Sequence, residues 1–196
     1  MFFRAEKPRT LSKAEEVRLL EVVGAGGNRR DLALLTLALG TGLRLCELVG
    51  LDVGHVAPNG NEVAWRVDLP RAITKGGRGG VAFLPRKTRT ELRRFLKWKR
   101  THGEPLLPDS PLFASSQRRR ISLRRVQAMY AHWQRIAGFE RHYNFHTLRH
   151  TAITNVYRAT KDLFLAQRFA RHVSPMTTVA YTHPSDEELY SRIGRL

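Results

Sequence analysis

Helical patterning of apolar and polar positions runs through most of this chain, and strand-like alternation is confined to one stretch. Ser12 reads as the cap of a first helix reaching about Val23, with Glu15 three residues on at the capping-box position. "GAGGN" at 24–28 breaks the chain. "RRDLALLTLALGTGLRLCELVGL" then predicts a buried helix, a Gly-Thr-Gly turn and a second helix from about Leu43. Between about Asp52 and Pro85 the pattern shifts to strands, with "NEVAWRVDL" and "GGVAFLP" bracketing a hairpin tip, "RAITKGGRGG", rich in glycine and cations. Further helices are expected at about 87–101, 122–137, from 146 onward, 162–171 and 176–182, before a polar tail to Leu196. With no internal repeat and no long linker, the expectation is one mainly α domain with a small antiparallel β-sheet (α+β). Its expected divisions are a basic arm at 1–11, the domain at 12–184 and a tail at 185–196.

Composition narrows the partner. The formal net charge is +17 over 196 residues, and such an excess costs self-repulsion unless a polyanion meets it. Nucleic acid fits better than an anionic membrane surface, because no basic amphipathic helix with a strong apolar face and no lipidation signal is present. No run approaches a membrane span, and "MFFRAEKPRTLS" lacks the apolar core of a secretory signal. The single cysteine, Cys46, has no internal disulfide partner and sits in an apolar helical pattern that reads as packing. A cytoplasmic protein is the expectation.

The cations cluster. "RKTRTELRRFLKWKR" at 86–100 sets eight Lys or Arg against one Glu, and "RRRISLRR" at 118–125 adds five arginines. With few acidic residues interleaved, these segments read as phosphate-contacting faces: Arg86, Lys87, Arg89, Arg93, Arg94 and Lys97 from the first, Arg118, Arg119, Arg120, Arg124 and Arg125 from the second, with Arg78 at the hairpin tip. No zinc-finger spacing, P-loop or dinucleotide fingerprint appears. His142, His146 and His150 recur every four residues, but Asn144 and Phe145 mark a helix entry and Arg149 would sit beside any cation, so no metal site is assigned. Phosphodiester chemistry suits the same residue types: guanidinium forks and imidazole donors stabilise charge on the non-bridging oxygens, a lysine on a hairpin protonates the leaving oxygen, and a covalent nucleophile conserves the bond energy.

In this light the chain, from about residue 12 to 190, resembles the tyrosine recombinase (phage integrase) family. "TGLRLCELVGL" resembles the box of the first catalytic arginine, which places that role on Arg44 and a supporting one on Glu47. "ITKGGRGGVAFLP" resembles the hairpin carrying the catalytic lysine, Lys75, although the same tip also offers Arg78. "HTLRH" is similar to the His-x-x-Arg box, giving His146 and Arg149, and "RHVSPMTTVAYTH" to the last box, in which His172 precedes Tyr181 by nine residues. The resemblance implies that Tyr181 attacks the scissile phosphate to form a 3′-phosphotyrosine link and free a 5′-hydroxyl. Arg44, Arg149 and His172 would bind the phosphate, His146 would act as donor or general base, and Lys75 would protonate the leaving oxygen. Glu47 would orient Arg44, and His150 would be a structural hydrogen-bonding group. It further implies a site-specific recombinase acting as a tetramer on two duplexes through a Holliday junction, monomeric or dimeric off DNA. No metal or cofactor would be needed, and accessory DNA-bending or directionality proteins are conceivable partners.

Two departures accompany the resemblance. Arg44 comes too early to leave room for the family's N-terminal DNA clamp, so the sequence resembles either a stand-alone catalytic domain, whose charge would partly compensate for the missing contacts, or a truncated piece of a longer protein. "FARH" at 169–172 puts Arg171 where the family commonly has glycine. The tail "SDEELYSRIGRL" resembles a segment that many members dock on a neighbouring subunit. A type IB topoisomerase-like nicking and closing enzyme, or a non-catalytic DNA-binding regulator on the same fold, are the competing readings.

Overall fold

Short polar side chains at helix starts divide this chain into its elements. In the computed structural model, which describes residues 8–60, 62–74 and 76–181 with Tyr190, Ile193 and Gly194, Ser12 and Glu15 form the expected reciprocal cap. Ser12 Oγ accepts from the Glu15 amide and the Glu15 carboxylate from the Ser12 amide, opening α1 (Lys13–Ala25). Asn28 caps α2 (Arg29–Thr41) by accepting from the Asp31 amide, and α2 ends where Gly42 turns left-handed at φ 60°. Residues 33–38 are buried throughout, and α2 packs against α1, α5 (Arg86–Thr101) and α7 (His146–Thr160), which makes it the central helix.

The short α3 (Leu45–Gly50) follows, and then α4 (Val53–Val56), a single turn within the stretch read as strand. The hairpin is present but shorter than expected. β1 (Arg66–Leu69) pairs antiparallel with β2 (Gly80–Phe83) in the register Arg66 to Phe83 through Leu69 to Gly80, and Trp65 stacks on Phe83. Pro70 ends β1, and a 3-10 turn at Arg71–Ile73 leads into the tip, where a side chain on Gly50 would collide with Ile73. The turn is thereby seated on the end of α3.

α6 (Leu123–Ile136), capped by Ser122, packs on α1 and α3. Beyond α7 lie α8 (Leu163–Ala170), capped by Asp162, and α9 (Met176–Val179), which stops short of the expected 182 because the chain turns at Tyr181. The core joins Leu19 and Val23 of α1, Leu34 and Leu37 of α2, Leu92 and Phe95 of α5, Tyr130 of α6 and Leu148 of α7. The fold is therefore mainly α with a small two-stranded antiparallel sheet. Cys46 corrects one expectation: it is exposed on α3, since the helix turns Leu48 and Val49 to the core instead. Residues 1–7 of the basic arm, and all of the tail at 185–196 except the three named residues, lie outside the described residues, as do residues 182–184.

Candidate active site

Two helix ends and two guanidinium groups set the frame. Arg149, in the first turn of α7, is only 3% exposed, and its Nη1 donates to the Gly42 carbonyl while its Nη2 donates to that of Ala170. Both carbonyls stand at C-terminal helix ends, where backbone acceptors lack intrahelical donors and the dipole favours a cation. Burial, reinforced by Arg44 and Arg171, lowers the Arg149 pKa to about 10, so the group remains charged at neutral pH.

Arg44 sits just before α3, half-buried, with Nη1 3.2 Å from Glu47 Oε1. The Glu47 carboxylate is itself 1% exposed and holds three donors: Arg44 Nη1, the Arg44 backbone amide at 2.7 Å and Arg171 Nη2 at 2.7 Å. A buried carboxylate needs this much company. Arg171 occupies the left-handed position (φ 56°) that closes α8, so an arginine replaces the residue type that adopts this conformation freely. Its Cδ lies 3.0 Å from where a side chain on Gly80 would begin, so Arg171 bridges α8, α3 and β2. The sequence marked Arg171 as a departure; its bond to Glu47 emerges from the fold.

His172 follows immediately. Its Nδ1 lies 2.9 Å from the hydroxyl of fully buried Thr178, and its carbonyl accepts from the Gln167 side chain, so the ring is held at both ends of the loop. Tyr181 is half-buried with its ring centroid 6.1 Å from that of His172 and 5.5 Å from that of His150. The Tyr181 hydroxyl lies 2.6 Å from His150 Nδ1. His150, expected as a hydrogen-bonding group, has the tyrosine hydroxyl as its partner: one turn beyond His146 on α7, it contacts His146 edge-on at 4.6 Å and the tyrosine hydroxyl directly.

The electrostatics are coupled. Burial raises the Tyr181 pKa, opposed by Arg149 and Arg44, and the net shift is upward. Burial lowers His150 to about 4, with His146 and Arg149 adding to the effect. Burial likewise takes His172 to about 4, assisted by Arg149, Arg44, Arg171 and His150. At neutral pH the site therefore holds a protonated phenol, neutral imidazoles at His150 and His172, and guanidinium cations.

Arg44, Glu47, His146, Arg149, His150, His172 and Tyr181 thus come together from three separate chain segments. Lys75 lies outside the described residues, between Thr74 and Gly76 of the hairpin tip, and Arg78 is exposed on the same tip. Of the basic positions, Arg86, Lys87, Arg93, Arg94 and Lys97 are exposed on α5, and Arg89 is half-buried. Arg118, Arg119, Arg120, Arg124 and Arg125 are exposed around the start of α6. Arg120 is also tied to the protein interior. Its guanidinium donates to the Val49 and Leu51 carbonyls and pairs with Asp52, which holds the end of the helix that carries Glu47.

Comparison with known proteins identifies the family. The profile of the phage integrase family matches residues 9–188. The tyrosine recombinase XerC of Serratia marcescens is 36% identical over 154 residues, covering 79% of this chain and 48% of that protein. XerC of Actinobacillus pleuropneumoniae is 34% identical over 79% of this chain and 47% of its own. The chain thus spans about half the length of the curated relatives it matches. Among solved structures, the XerA recombinase superposes with a TM-score of 0.77 at 24% identity, covering 96% of this chain and 65% of that one, and so shares the fold. The XerH site-specific recombinase bound to its difH substrate gives 0.74 at 21% identity, covering 98% and 55%. On this match across nearly its whole length, the chain belongs to the phage integrase family and carries the catalytic domain of a tyrosine recombinase.

Proposed function

We propose that the chain cleaves and rejoins DNA strands in site-specific recombination, through a covalent 3′-phosphotyrosine intermediate. The observation that carries this reading is the position of the Tyr181 hydroxyl, hydrogen-bonded to a neutral imidazole and electrostatically coupled to Arg149 and Arg44. A scissile phosphodiester in this site would meet Arg44 and Arg149 at its non-bridging oxygens, with His172 and His146 as further donors. Arg149 is already anchored on two carbonyls, so little reorganisation accompanies binding. Tyr181 Oη forms the new bond to phosphorus as the bond to the 5′-oxygen breaks, and Lys75 supplies the proton to that oxygen. Attack by a 5′-hydroxyl on the phosphotyrosine reverses these steps without an external energy source. Glu47 and Arg171 keep Arg44 in place. The substrate is double-stranded DNA, approached by the basic faces of α5 and α6. The assembly is a tetramer on paired sites, passing through a Holliday junction, with the tail at 185–196 docking on a neighbour. The likeness to a recombinase whose solved complex holds its DNA substrate supports this assignment of partner. Among the described residues no helix is long and apolar enough to cross a membrane, and we assign the protein to the cytoplasm.

A nicked duplex carrying the site recovered by selection for binding tests the proposal, because the nick lets the short product diffuse away and traps the adduct. Wild type is expected to form a covalent protein–DNA species, Tyr181→Phe none, and Arg149→Ala at a rate lower by about 100-fold or more. An adduct formed by Tyr181→Phe would refute the assignment of the nucleophile.

A further inference from the structure

For Tyr181 to attack phosphorus, its hydroxyl must shed a proton as the new bond forms. Burial raises the phenol pKa, and Arg149 and Arg44 offset this only in part, so the proton needs an acceptor at hand. Arg44 and Arg149 are cations and serve as donors. The Nδ1 of His172 is committed to the Thr178 hydroxyl at 2.9 Å. His150 Nδ1, by contrast, lies 2.6 Å from the Tyr181 oxygen.

Resting on the phosphotyrosine reading above, we infer that His150 is the catalytic proton acceptor for Tyr181, through its Nδ1. The proton passes from Tyr181 Oη to His150 Nδ1 as the Oη–P bond forms and the P–O5′ bond breaks. Rejoining returns the proton to the tyrosine oxygen as that oxygen leaves. The imidazole therefore carries its resting hydrogen on Nε2. The groups around it fit this use. His146 touches the ring edge-on from one turn before on the same helix, and Arg149 precedes His150 in the chain. Their positive potential, added to burial, lowers the His150 pKa to about 4 and keeps the accepting lone pair open at neutral pH. An incoming phosphodiester neutralises part of that potential, so the imidazole becomes more basic when its proton is due. His146 is then left to serve the phosphate as a donor.

The test is single-turnover adduct formation on the nicked duplex, with DNA affinity measured alongside. His150→Asn keeps a hydrogen-bonding atom near the Nδ1 position but takes no proton, and His150→Ala leaves space for added imidazole. Both variants are expected to bind DNA within about threefold of wild type and to cleave about 100-fold more slowly, with imidazole restoring part of the His150→Ala rate. Cleavage by His150→Asn at the wild-type rate would overturn the inference, since it would show that the contact merely orients the ring. A loss confined to His146→Asn would overturn it in favour of His146. An absence of adduct from wild type would bring down the phosphotyrosine reading itself, and the inference with it.

Discussion

Glu47 and Arg171 show how single residues set this site. Glu47 is a carboxylate at 1% exposure with donors from Arg44 and Arg171, and Arg171 adopts a left-handed backbone to reach it. Glycine at 171 would relieve roughly 1 kcal/mol of backbone strain. It would also remove one of two guanidinium partners from a buried charge, a larger cost of up to about 3–5 kcal/mol when no other partner remains. Because Arg44 and a backbone amide stay in place, Arg171→Gly is expected to lower stability by about 1–2 kcal/mol net in urea unfolding. A variant more stable than wild type would show that the strain outweighs the ion pair. Arg44, His146, Arg149, His172 and Tyr181 were legible in the sequence because each lies in a box with its own local spacing. The contact of His150 was not, because the partner hydroxyl arrives from 31 residues downstream through the packing of α7 against α8. Cys46 misled for the opposite reason: an apolar neighbourhood in sequence says little about which face of a two-turn helix looks inward.

Among the helices and strands, those helices with polar caps were read to within a few residues, because Ser12, Asn28, Ser122 and Asp162 satisfy backbone amides that the chain itself exposes. The strand region was read too broadly. The β-branched residues of "VGHV" suggest a strand, yet the segment forms one helical turn closed by the Asp52 amide on His55 Nδ1. The end of α2 bears most directly on the candidate site, since Gly42 both stops the helix and offers its carbonyl to Arg149. At φ 60°, a side chain there would be strained and would stand 3.2 Å from Phe169. Gly42→Ala is expected to cost about 1–3 kcal/mol of stability. It should also slow cleavage well beyond Gly27→Ala, whose φ of 70° imposes similar strain with no neighbour within 4 Å. Equal cleavage rates in the two variants would separate the turn from any role of Arg149 in cleavage.

For the molecule as a whole, the net charge of +17 points to a polyanionic partner, but composition alone could not say which cations would meet it. On α5, Leu92, Phe95 and Leu96 face the core while Arg86, Arg93 and Lys97 are exposed, so α5 is, against expectation, a basic amphipathic helix, but its apolar face is buried in the protein and not offered to a membrane. DNA affinity is therefore expected to fall steeply and linearly in log–log form with salt. Replacing Arg93 and Lys97 together by Gln should flatten that slope by about 2, reflecting two lost phosphate contacts, and an unchanged slope would place the duplex elsewhere. Whether Tyr181 is the nucleophile of a strand-exchange reaction is decided by the chemistry of the trapped adduct. Tryptic digestion releases residues 172–192, which also contain the exposed Tyr190, so fragmentation mass spectrometry must locate the bond. The expected product is a nucleotide joined through its 3′-phosphate to Tyr181, with a free 5′-hydroxyl on the departing strand. Attachment to Tyr190, or through a 5′-phosphate, would contradict the mechanism.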